Sequence, residues 1–426
     1  MSFPQTILKD ILLDQQRYLT NEKKSIRRDL LGEISTNIFD PTIVVITGLR
    51  RVGKSTLLRQ IMNVLEQDSY YYCNFEDERF LDFKASNFSL LLQSCIELFG
   101  ERKTIFFDEV QNISGWERFV RRLHDSGYKC FITGSNASLL SRELGTKLTG
   151  RYVAYTLYPF SFSEYLRTTN NPPTTTLLDT TTRANLSSLF SIYSKDGGMP
   201  EYIQYKNPDA LKTVYDSVLY RDIMVRYNIR DERTLRELSL YCMSNIGSKL
   251  SYTGVQKMFE LGSPNTVHSY VNHLEQSYLL FLLRRYDPSL KKQLRENKKC
   301  YSIDPGLAGL VGFRFSENSG RMLENIIYLE LLRRKKEVYF YITDKKQEID
   351  FITREGKAIT GCVQVSWEME QKKTKNREIL PLIQALRDFN LQKGTIITSS
   401  LREEIKTDGK TIECVPAYEW LLRTDK

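Results

Sequence analysis

Short runs of β-branched and aromatic residues alternate with amphipathic segments through the first part of this 426-residue chain. The apolar runs predict buried strands, and the segments between them predict helices. Strands are expected at 42–47, 70–74, 103–109, 129–133 and 152–157. Strands that alternate with helices indicate an α/β domain built on a parallel sheet.

A glycine-rich loop, 48–55, separates the first strand from the helix expected at 56–62. It fits the pattern G-x-x-x-x-G-K-[ST] and has the strand before it and the helix after it that the pattern requires. Backbone N–H groups in such a turn, together with the helix N-terminus, hold a di- or triphosphate. The residues expected to bind the nucleotide are Gly48, Arg50, Arg51, Val52, Gly53, Lys54, Ser55 and Thr56. Lys54 is expected to reach the β and γ phosphates, and Ser55 to be a Mg²⁺ ligand.

Two carboxylates, Asp108 and Glu109, close the strand at 103–109. In α/β sheets the carboxyl ends of the strands face the ligand. Asp108 is therefore expected to hold Mg²⁺ through water, and Glu109 to polarise the water that attacks the γ-phosphate. A helix N-cap followed by a first-turn acid is the alternative, and the upstream loop favours the catalytic interpretation.

The strand at 129–133 is followed by Gly134-Ser135-Asn136. A polar side chain at this strand end could touch the γ-phosphate or the attacking water, so Asn136, or Ser135 in its place, is a candidate sensor. The alternative is that both residues only cap the next helix, expected at 137–143. The sequence does not separate these two interpretations.

Five segments follow from the pattern of elements. Residues 1–38 predict a charged helical lead-in, and 39–160 the phosphate-binding core. Residues 161–234 predict a helical lid with a polar loop at 168–182, a break at Gly197-Gly198 and a helix at 211–227. Two further units are expected at 235–312 and 318–426. The lead-in is expected to pack through Ile7, Ile11, Leu12, Tyr18 and Leu30.

The unit at 235–312 resembles a winged helix. A helix is expected at 253–259, and a second begins at Pro264 after the N-cap Ser263. The second helix is expected to bury Val267, Tyr270, Val271 and Leu274, and to present outward, as a recognition helix does, Asn265, Thr266, His268, Ser269 and Asn272. Strands at 279–286 and 299–303 are expected to pair through a basic connection carrying Lys291, Lys292, Arg295, Lys298 and Lys299. DNA binding and a purely packing role are both open.

The unit at 318–426 combines a helix that carries Glu324 with strands expected at 337–343, 347–353 and 361–367. An acid on a helix, an Asp on a strand and (D/E)-x-K on the next strand is the layout of restriction-type nucleases, in which carboxylates hold Mg²⁺. Here the third element is Gln364-Val365-Ser366, without its lysine. Loss of that cation predicts an inactive remnant of Glu324, Asp350 and Gln364, unless the next helix supplies a substitute from Lys372, Lys373 or Lys375.

Composition narrows the function classes. The formal net charge of +9 and pI near 9.0 favour an anionic partner without requiring nucleic acid. The seven cysteines lack C-x-x-C spacing and predict reduced core residues, while three histidines disfavour a zinc site or a His-based triad. No apolar run has the length of a membrane span, and the N-terminus is charged, so we expect a cytoplasmic protein without a membrane partner.

The order of these parts resembles a known family, the prokaryotic AAA-type P-loop ATPases with a C-terminal PD-(D/E)xK nuclease-like domain of unknown function. The resemblance covers nearly the whole chain. It rests on motifs spread along the sequence, namely Gly48–Ser55, Phe107–Gln111, Thr133–Asn136, Leu148–Arg151, Tyr158–Tyr165, Gly197–Pro200, Glu348–Phe351 and Gln364–Ser366. It implies an α/β AAA-type parallel-sheet domain with a helical lid, followed by a winged helix and an α/β restriction-nuclease-like domain. It also implies a tail that usually lacks the lysine.

The same resemblance implies binding and hydrolysis of ATP with Mg²⁺, and the choice of ATP over other nucleotides rests on it alone. Related ATPases use an arginine from a neighbouring subunit in the transition state. Arg151 is the candidate here, in competition with Arg50, Arg51, Arg221 and Arg226 and with a local ion pair. We therefore predict a Mg²⁺-dependent ATPase whose nucleotide state moves the lid and the C-terminal units. A slow-turnover signalling switch and an ATP-gated nuclease are the alternatives, with DNA, a protein or a second copy as open partners.

Overall fold

The computed structural model describes residues 3–20, 25–66, 69–135, 148, 150–169, 179–312, 319–369 and 371–423, without the side chains of 20, 372 and 373. The chain divides into two compact units. The first comprises residues 1–158 and 276–278, and the second comprises 159–275 and 279–426. The candidate sensor Asn136, the helix expected at 137–143 and most of the polar loop at 168–182 lie outside the described residues.

A five-stranded parallel sheet forms the centre of the first unit. Its strands are β1 (Ile43–Thr47), β2 (Tyr70–Asn74), β3 (Thr104–Asp108), β4 (Lys129–Gly134) and β5 (Tyr152–Thr156), in the order β2-β3-β4-β1-β5. All five residues of β1 are buried, which explains why its first four residues are apolar. The five predicted strands are thus confirmed, and β1 lies between β4 and β5.

Helices α1 (Gln5–Thr20), α2 (Leu30–Thr36), α3 (Lys54–Met62), α4 (Phe88–Phe99) and α5 (Trp116–Asp125) belong to the first unit. On α1 the buried positions are Leu8, Ile11 and Leu12, which recur at helical spacing. Ile7 and Tyr18, predicted to pack, are exposed instead. The one-residue shift from Ile7 to Leu8 places the buried stripe of α1 against the core, and Tyr18 lies under the guanidinium of Arg59.

The second unit begins with helices. They are α6 (Phe162–Thr168), α7 (Thr180–Asp196), α8 (Pro200–Tyr205), α9 (Pro208–Ser217) and α10 (Glu232–Ser244), with a π-helical segment at Val218–Val225. The helix predicted at 211–227 thus corresponds to α9 followed directly by this π-helical segment. Arg221 and Arg226 are exposed on and after that stretch. Aromatic rings of α6 and α7 pack together, Phe162 against Phe190 and Tyr193 at 5.5 Å between centroids.

Gly198 is fixed by contacts to two distant parts of the second unit. Its N–H donates to Asp304 Oδ2 at 2.6 Å, and its carbonyl accepts from the N–H of Phe160 at 2.7 Å. A Cβ at this position would lie 2.2 Å from the carbonyl oxygen of Phe160. Asp304 also accepts from the N–H of Leu307, and burial raises its pKa to about 6. The predicted break at Gly197-Gly198 is thus a position where close packing against neighbouring residues requires a residue without a side chain.

A small antiparallel sheet follows, with the order β6-β8-β7. Its strands are β6 (Lys249–Leu250), β7 (Leu280–Leu283) and β8 (Lys298–Ser302), and the helices around it are α11 (Tyr252–Met258), α12 (Pro264–Gln276), α13 (Leu290–Arg295) and α14 (Pro305–Val311). The predicted pairing of two strands through a basic connection is confirmed by β7 and β8. On α12, Asn265, His268 and Ser269 are exposed, whereas Thr266 and Asn272 are half-buried.

The C-terminal part of the second unit is a six-stranded mixed sheet, with the order β13-β14-β12-β11-β10-β9. Its elements are α15 (Ser319–Arg333), β9 (Glu337–Ile342), β10 (Glu348–Glu355), β11 (Ala358–Ser366), α16 (Lys372–Asp388), β12 (Lys393–Thr398), β13 (Glu403–Thr407), β14 (Lys410–Pro416) and α17 (Ala417–Leu422). The three predicted strands correspond to β9, β10 and β11. A hydrophobic core that includes Leu382, Leu386, Ile396 and Ile412 packs α16 against the sheet.

Candidate nucleotide-binding site

The loop between β1 and α3 has a backbone that requires glycine at both ends. Gly48 has φ +151°, and a Cβ there would lie 2.3 Å from the carbonyl oxygen of Leu157. Gly53 has φ +101° and is the residue immediately before α3. Only glycine adopts these conformations without strain. The loop therefore turns tightly at the N-terminus of α3, where partial positive charge favours an anion.

Lys54 lies at the start of α3 with 4% of its surface exposed. Its Nζ is 3.1 Å from Glu109 Oε1 and donates to the carbonyl oxygens of Gly48 and Leu49 at 3.3 and 3.2 Å. A buried ammonium is costly without such partners. The lysine is thus held under the glycine loop, in an ion pair with the Glu109 carboxylate.

Glu109 follows β3 in a left-handed backbone conformation, with φ +51°. Its N–H donates to Thr133 Oγ1 at 2.9 Å, and its side chain accepts from the amide of Gln111. Burial alone would raise the pKa of Glu109, but the Lys54 ammonium and Gln111 outweigh burial and lower that pKa. Glu109 is therefore ionised at neutral pH. A strained residue of this kind persists where its surroundings over-determine it, which is common at active sites.

Asp108 is fully buried at the end of β3. Its Oδ1 accepts from the Thr133 hydroxyl at 2.5 Å, and its Oδ2 accepts from the Tyr72 hydroxyl at 3.1 Å. Burial and the adjacent Glu109 charge raise the pKa of Asp108, while hydrogen bonds from Ser55 and Thr133 oppose that rise. Thr133 thus joins the two carboxylates, since its hydroxyl donates to Asp108 and accepts from the N–H of Glu109.

The donor set at this strand end fits Mg²⁺. Ser55 and Asp108 are hydrogen-bonded neighbours and supply hard oxygen ligands. Mg²⁺ keeps several waters and takes one or two protein ligands plus phosphate oxygens. Within the described ranges, no group of three or more His, Cys, Asp or Glu side chains is arranged to hold a metal ion. A cation beside Asp108 would also favour the ionised form that burial disfavours.

The remaining predicted residues take different positions. Arg50 Nη1 pairs with Glu76 Oε1 at 2.9 Å, and Arg51 is exposed with φ +60°. Ser135 is buried, with its Oγ 3.5 Å from the amide of Gln111, near Glu109. Arg151 Nε lies 3.1 Å from Asp125 Oδ1, which is the local ion pair that competes with a role in a neighbouring subunit.

Arg28 is a buried residue of this site that the sequence pattern did not reveal. Its guanidinium donates to the carbonyl oxygens of Val52 at 2.9 Å and Tyr158 at 2.5 Å, and its N–H donates to Gln60 Oε1 at 3.0 Å. Arg28 therefore supports the loop from the side of the lead-in. It lies outside every local motif, so its only sequence signal is a basic residue beside a predicted helix.

Glu324, Asp350 and Gln364, which were predicted to form a nuclease-like remnant, lie close together in the second unit, and one unexpected residue joins them. Lys299 Nζ lies 2.5 Å from Glu324 Oε1, 2.9 Å from Glu348 Oε1 and 3.4 Å from Asp350 Oδ1. Lys299 was predicted in the basic connection, which is wrong, because its side chain points into a cluster of carboxylates and is 2% exposed. A lysine is therefore present at these acids, supplied by β8.

Gln364 is fully engaged beside this cluster. Its Oε1 accepts from the N–H of Asp350 at 3.2 Å, and its Nε2 donates to Glu378 Oε2 at 2.8 Å. Lys375 does not replace the missing lysine, because it pairs with Glu403 at 2.5 Å. The side chains of Lys372 and Lys373 lie outside those described.

The parallel sheet, the glycine loop at the start of α3 and the paired acids after β3 define the nucleotide-binding domain of an AAA-type P-loop ATPase. A family model described as an AAA domain matches residues 40–166. Two further models, both described as domains of unknown function, match residues 187–317 and 319–420.

The chain belongs to the same family as the uncharacterized protein MJ1544 of Methanocaldococcus jannaschii, to which it is 33% identical over 98% of this chain and 95% of the relative. An uncharacterized protein of Haemophilus influenzae is 34% identical over 89% of this chain and 94% of its own length. Among solved structures, the Walker-type ATPase PABY2304 of Pyrococcus abyssi aligns at a TM-score of 0.44 and 15% identity, covering 69% of this chain and 99% of that one.

All seven cysteines are buried and unpaired, as expected for reduced core residues. Among the helices in the described ranges, none combines the length and the apolar character that a membrane span needs.

Proposed function

We propose that this protein binds ATP with Mg²⁺ and hydrolyses it to ADP and phosphate, and that the nucleotide state is passed to its C-terminal parts. The observation that carries the proposal is the convergence of Lys54, Ser55, Asp108 and Glu109 beneath the glycine loop. Lys54 would bind the β and γ phosphates. Ser55 and Asp108 would hold Mg²⁺, which neutralises developing phosphate charge when bound.

In this proposal Glu109 is the base that orients and deprotonates the attacking water. Its lowered pKa keeps it ionised, and Gln111 and the backbone contact to Thr133 fix its orientation. Phosphate release by the purified chain, measured with ATP and GTP in Mg²⁺ and in EDTA, tests the reaction. Absence of nucleotide binding by folded protein would refute it.

DNA is the partner that the second unit supports best. Helices α11 and α12 and the β7–β8 pair have the order of a winged helix, and α12 exposes Asn265, His268 and Ser269. The exposed basic residues of the connection are Lys291, Lys292 and Arg295, whereas Lys299 is buried. Exposed cations that neutralise backbone phosphates supply most sequence-independent affinity.

Reversing these three charges, as Lys291→Glu, Lys292→Glu and Arg295→Glu together, is expected to weaken duplex binding at least about tenfold at low salt. Fluorescence anisotropy with a labelled duplex measures the change. The matched control reverses Lys345, Lys346 and Lys357, which are also exposed and lie in the turns that join the strands β9, β10 and β11. Equal DNA affinities of the two triple variants would refute the proposal that this surface binds DNA, and a protein partner would then be favoured.

Coupling to the nucleotide site is supported by three residues, 276–278, at the end of α12 and the start of its connection to β7. Residues 276–278 belong to the first unit, although the chain on both sides of them belongs to the second. The Tyr278 hydroxyl donates to Thr47 Oγ1 at 2.6 Å, and Thr47 immediately precedes Gly48 of the loop. Tyr278 is buried and has φ +62°, a conformation that costs about 1 kcal/mol or more and so requires a compensating contact.

A Tyr278→Phe variant is expected to keep ATP affinity within about threefold, because the ring still packs and one neutral hydrogen bond is worth about 1 kcal/mol or less. It is expected to lose the ATP-dependent change in amide exchange over residues 264–283. Hydrogen–deuterium exchange with and without a non-hydrolysable ATP analogue measures that change. Tyr155→Phe is the matched control, since it removes a hydroxyl that accepts from Asn37 in the same unit. An unaltered response in Tyr278→Phe would contradict coupling by this route.

A further inference from the structure

A single ammonium group lies at the centre of the acidic cluster in the second unit. Lys299 Nζ is within 3.4 Å of oxygens from Glu324, Glu348 and Asp350, which come from α15 and β10. The lysine itself comes from β8, so the cluster joins the small antiparallel sheet to the C-terminal sheet. Two of the three carboxylates are 12% exposed, and the lysine is 2% exposed.

The hydrogen-bonding capacity of Lys299 is fully used inside this cluster. An ammonium has three N–H donors and no acceptor, and three carboxylates take them. Burial alone would lower the pKa of Lys299, but the charges of Glu324, Asp350 and Glu348 outweigh burial and raise that pKa above its ordinary value. The lysine is therefore charged and has no donor left for a phosphate, so it cannot act as the lysine of a nuclease.

Each of the three carboxylates also has a second protein donor. Glu324 Oε1 accepts from the Tyr301 hydroxyl at 2.6 Å in addition to Lys299. Asp350 Oδ2 accepts from the N–H of Val365 at 2.9 Å. Glu348 Oε2 pairs with Lys249 Nζ at 2.6 Å. A divalent cation would have to displace several of these donors and also approach a buried positive charge, which low-dielectric surroundings make unfavourable.

We infer that the Lys299 ammonium takes the place that a divalent cation holds in a restriction-type nuclease, so that Glu324, Glu348 and Asp350 form a closed internal ion-pair network and not a metal centre. The cluster then serves to hold β8 against α15 and β10. The inference stands apart from the proposed ATPase activity, because none of its residues belongs to the nucleotide site.

The first test is a Mn²⁺ titration of the full chain without nucleotide, read by electron paramagnetic resonance. The wild type and a Glu324→Gln/Asp350→Asn variant are expected to bind the same number of Mn²⁺ ions with the same affinity. Any Mn²⁺ bound at the nucleotide site contributes equally to both. A Mn²⁺ site present in the wild type and lost in the double variant would overturn the inference.

The second test removes the ammonium. Lys299→Met is expected to lower the melting temperature by at least about 5 °C at pH 8, because it leaves buried carboxylates without their cation. Lys249→Met is the matched control, since Lys249 pairs with the same Glu348 but is 38% exposed, and a shift below about 2 °C is expected. Lys299→Met/Asp350→Asn, which restores the charge balance, is expected to recover part of the loss.

The pH dependence of Lys299→Met separates a charge role from a packing role. The titratable groups that face the vacated position are Glu324, Glu348, Asp350, Tyr301 and Lys249, with Glu378 reached through Gln364. Burial and the Glu324 charge raise the pKa of Asp350 to about 8 even though Lys299 opposes that rise, and against the effect of burial Lys299 also lowers the pKa of Glu348. Without Lys299 both pKa values rise further in the folded state, so stability is retained at low pH and lost as pH increases. The deficit relative to wild type is expected to shrink between pH 8 and pH 5.5. The inference would be overturned if Lys299→Met melted at the same temperature as the wild type at pH 8, or if the difference in melting temperature did not depend on pH. The Mn²⁺ comparison uses other variants and does not require Lys299→Met to fold.

Discussion

A Glu109→Gln variant is expected to bind ATP within about threefold of the wild-type affinity and to hydrolyse it at least about 100-fold more slowly, since general-base catalysis contributes about 10²–10⁴ in rate. The replacement amide has nearly the shape of the carboxylate and can still accept from Lys54, so binding is preserved. It cannot take the proton of the attacking water. Single-turnover phosphate release, together with a direct binding titration, separates the two effects.

The matched control for this experiment is Glu76→Gln. Glu76 carries the same charge near the loop, but it pairs with Arg50 and its side chain is about half exposed, at 51%. Its turnover is expected to stay within about threefold of wild type, because an exposed ion pair contributes about 0–1 kcal/mol. Rapid hydrolysis by Glu109→Gln would mean that another group, such as Ser135 or a residue outside the described ranges, positions the water.

A Lys54→Ala variant is expected to bind ATP at least about 100-fold more weakly, because truncating one partner of a buried charge pair costs about 2–5 kcal/mol. Glu109 and two loop carbonyl groups already hold the Lys54 side chain in place. The side chain therefore loses little conformational freedom when its ammonium exchanges these partners for a phosphate. Isothermal titration calorimetry with a non-hydrolysable ATP analogue measures the loss.

The same variant changes the electrostatics of the apo site. Lys54 is the main cause of the lowered pKa of Glu109, so its removal leaves burial as the dominant influence and that pKa rises. Lys103→Ala is the matched control, since Lys103 lies in the same unit, pairs with Glu101 and is 59% exposed. Full ATP affinity in Lys54→Ala would contradict the assignment of the loop as a phosphate site.

The nucleotide-binding core was predictable because its signals are local. Each strand of the parallel sheet is a short apolar run, and the loop residues needed for phosphate are consecutive between Gly48 and Ser55. Backbone conformation and side-chain chemistry are encoded together in such a segment. The pair Asp108 and Glu109 was equally predictable from the sequence, because the carboxyl ends of parallel strands in an α/β sheet lie at one edge, where the ligand binds.

The supporting residues of that core were not predictable, because each acts across a long sequence separation. Thr133 joins the two acids from β4, Arg28 holds the loop from the lead-in, and Tyr278 reaches Thr47 from more than two hundred residues away. Arg28 and Tyr278 stand in no motif, and the motif Thr133–Asn136 does not show that Thr133 contacts the two acids. The roles of their side chains depend on contacts with residues that only the folded chain brings close to them.

Lys299 shows most clearly how sequence context can mislead. It follows a series of exposed basic residues, and its neighbours in the sequence favour a solvated or DNA-binding face. The strand β8 alternates its side chains between two faces, so Lys299 points inward while Lys298 remains half-buried. The acids that it meets lie 25 to 51 residues further along the chain.

The amino-acid sequence by itself determined the class of the first domain, the position of its glycine-rich loop and the identity of the paired acids at the end of β3, since these depend on short-range periodicity and turn chemistry. The tertiary structure alone decided which residues orient those acids and what occupies the acidic cluster of the second unit. Charge pairing and burial are properties of distances between atoms, and residues far apart in the chain have no fixed distance until the sheets and helices pack.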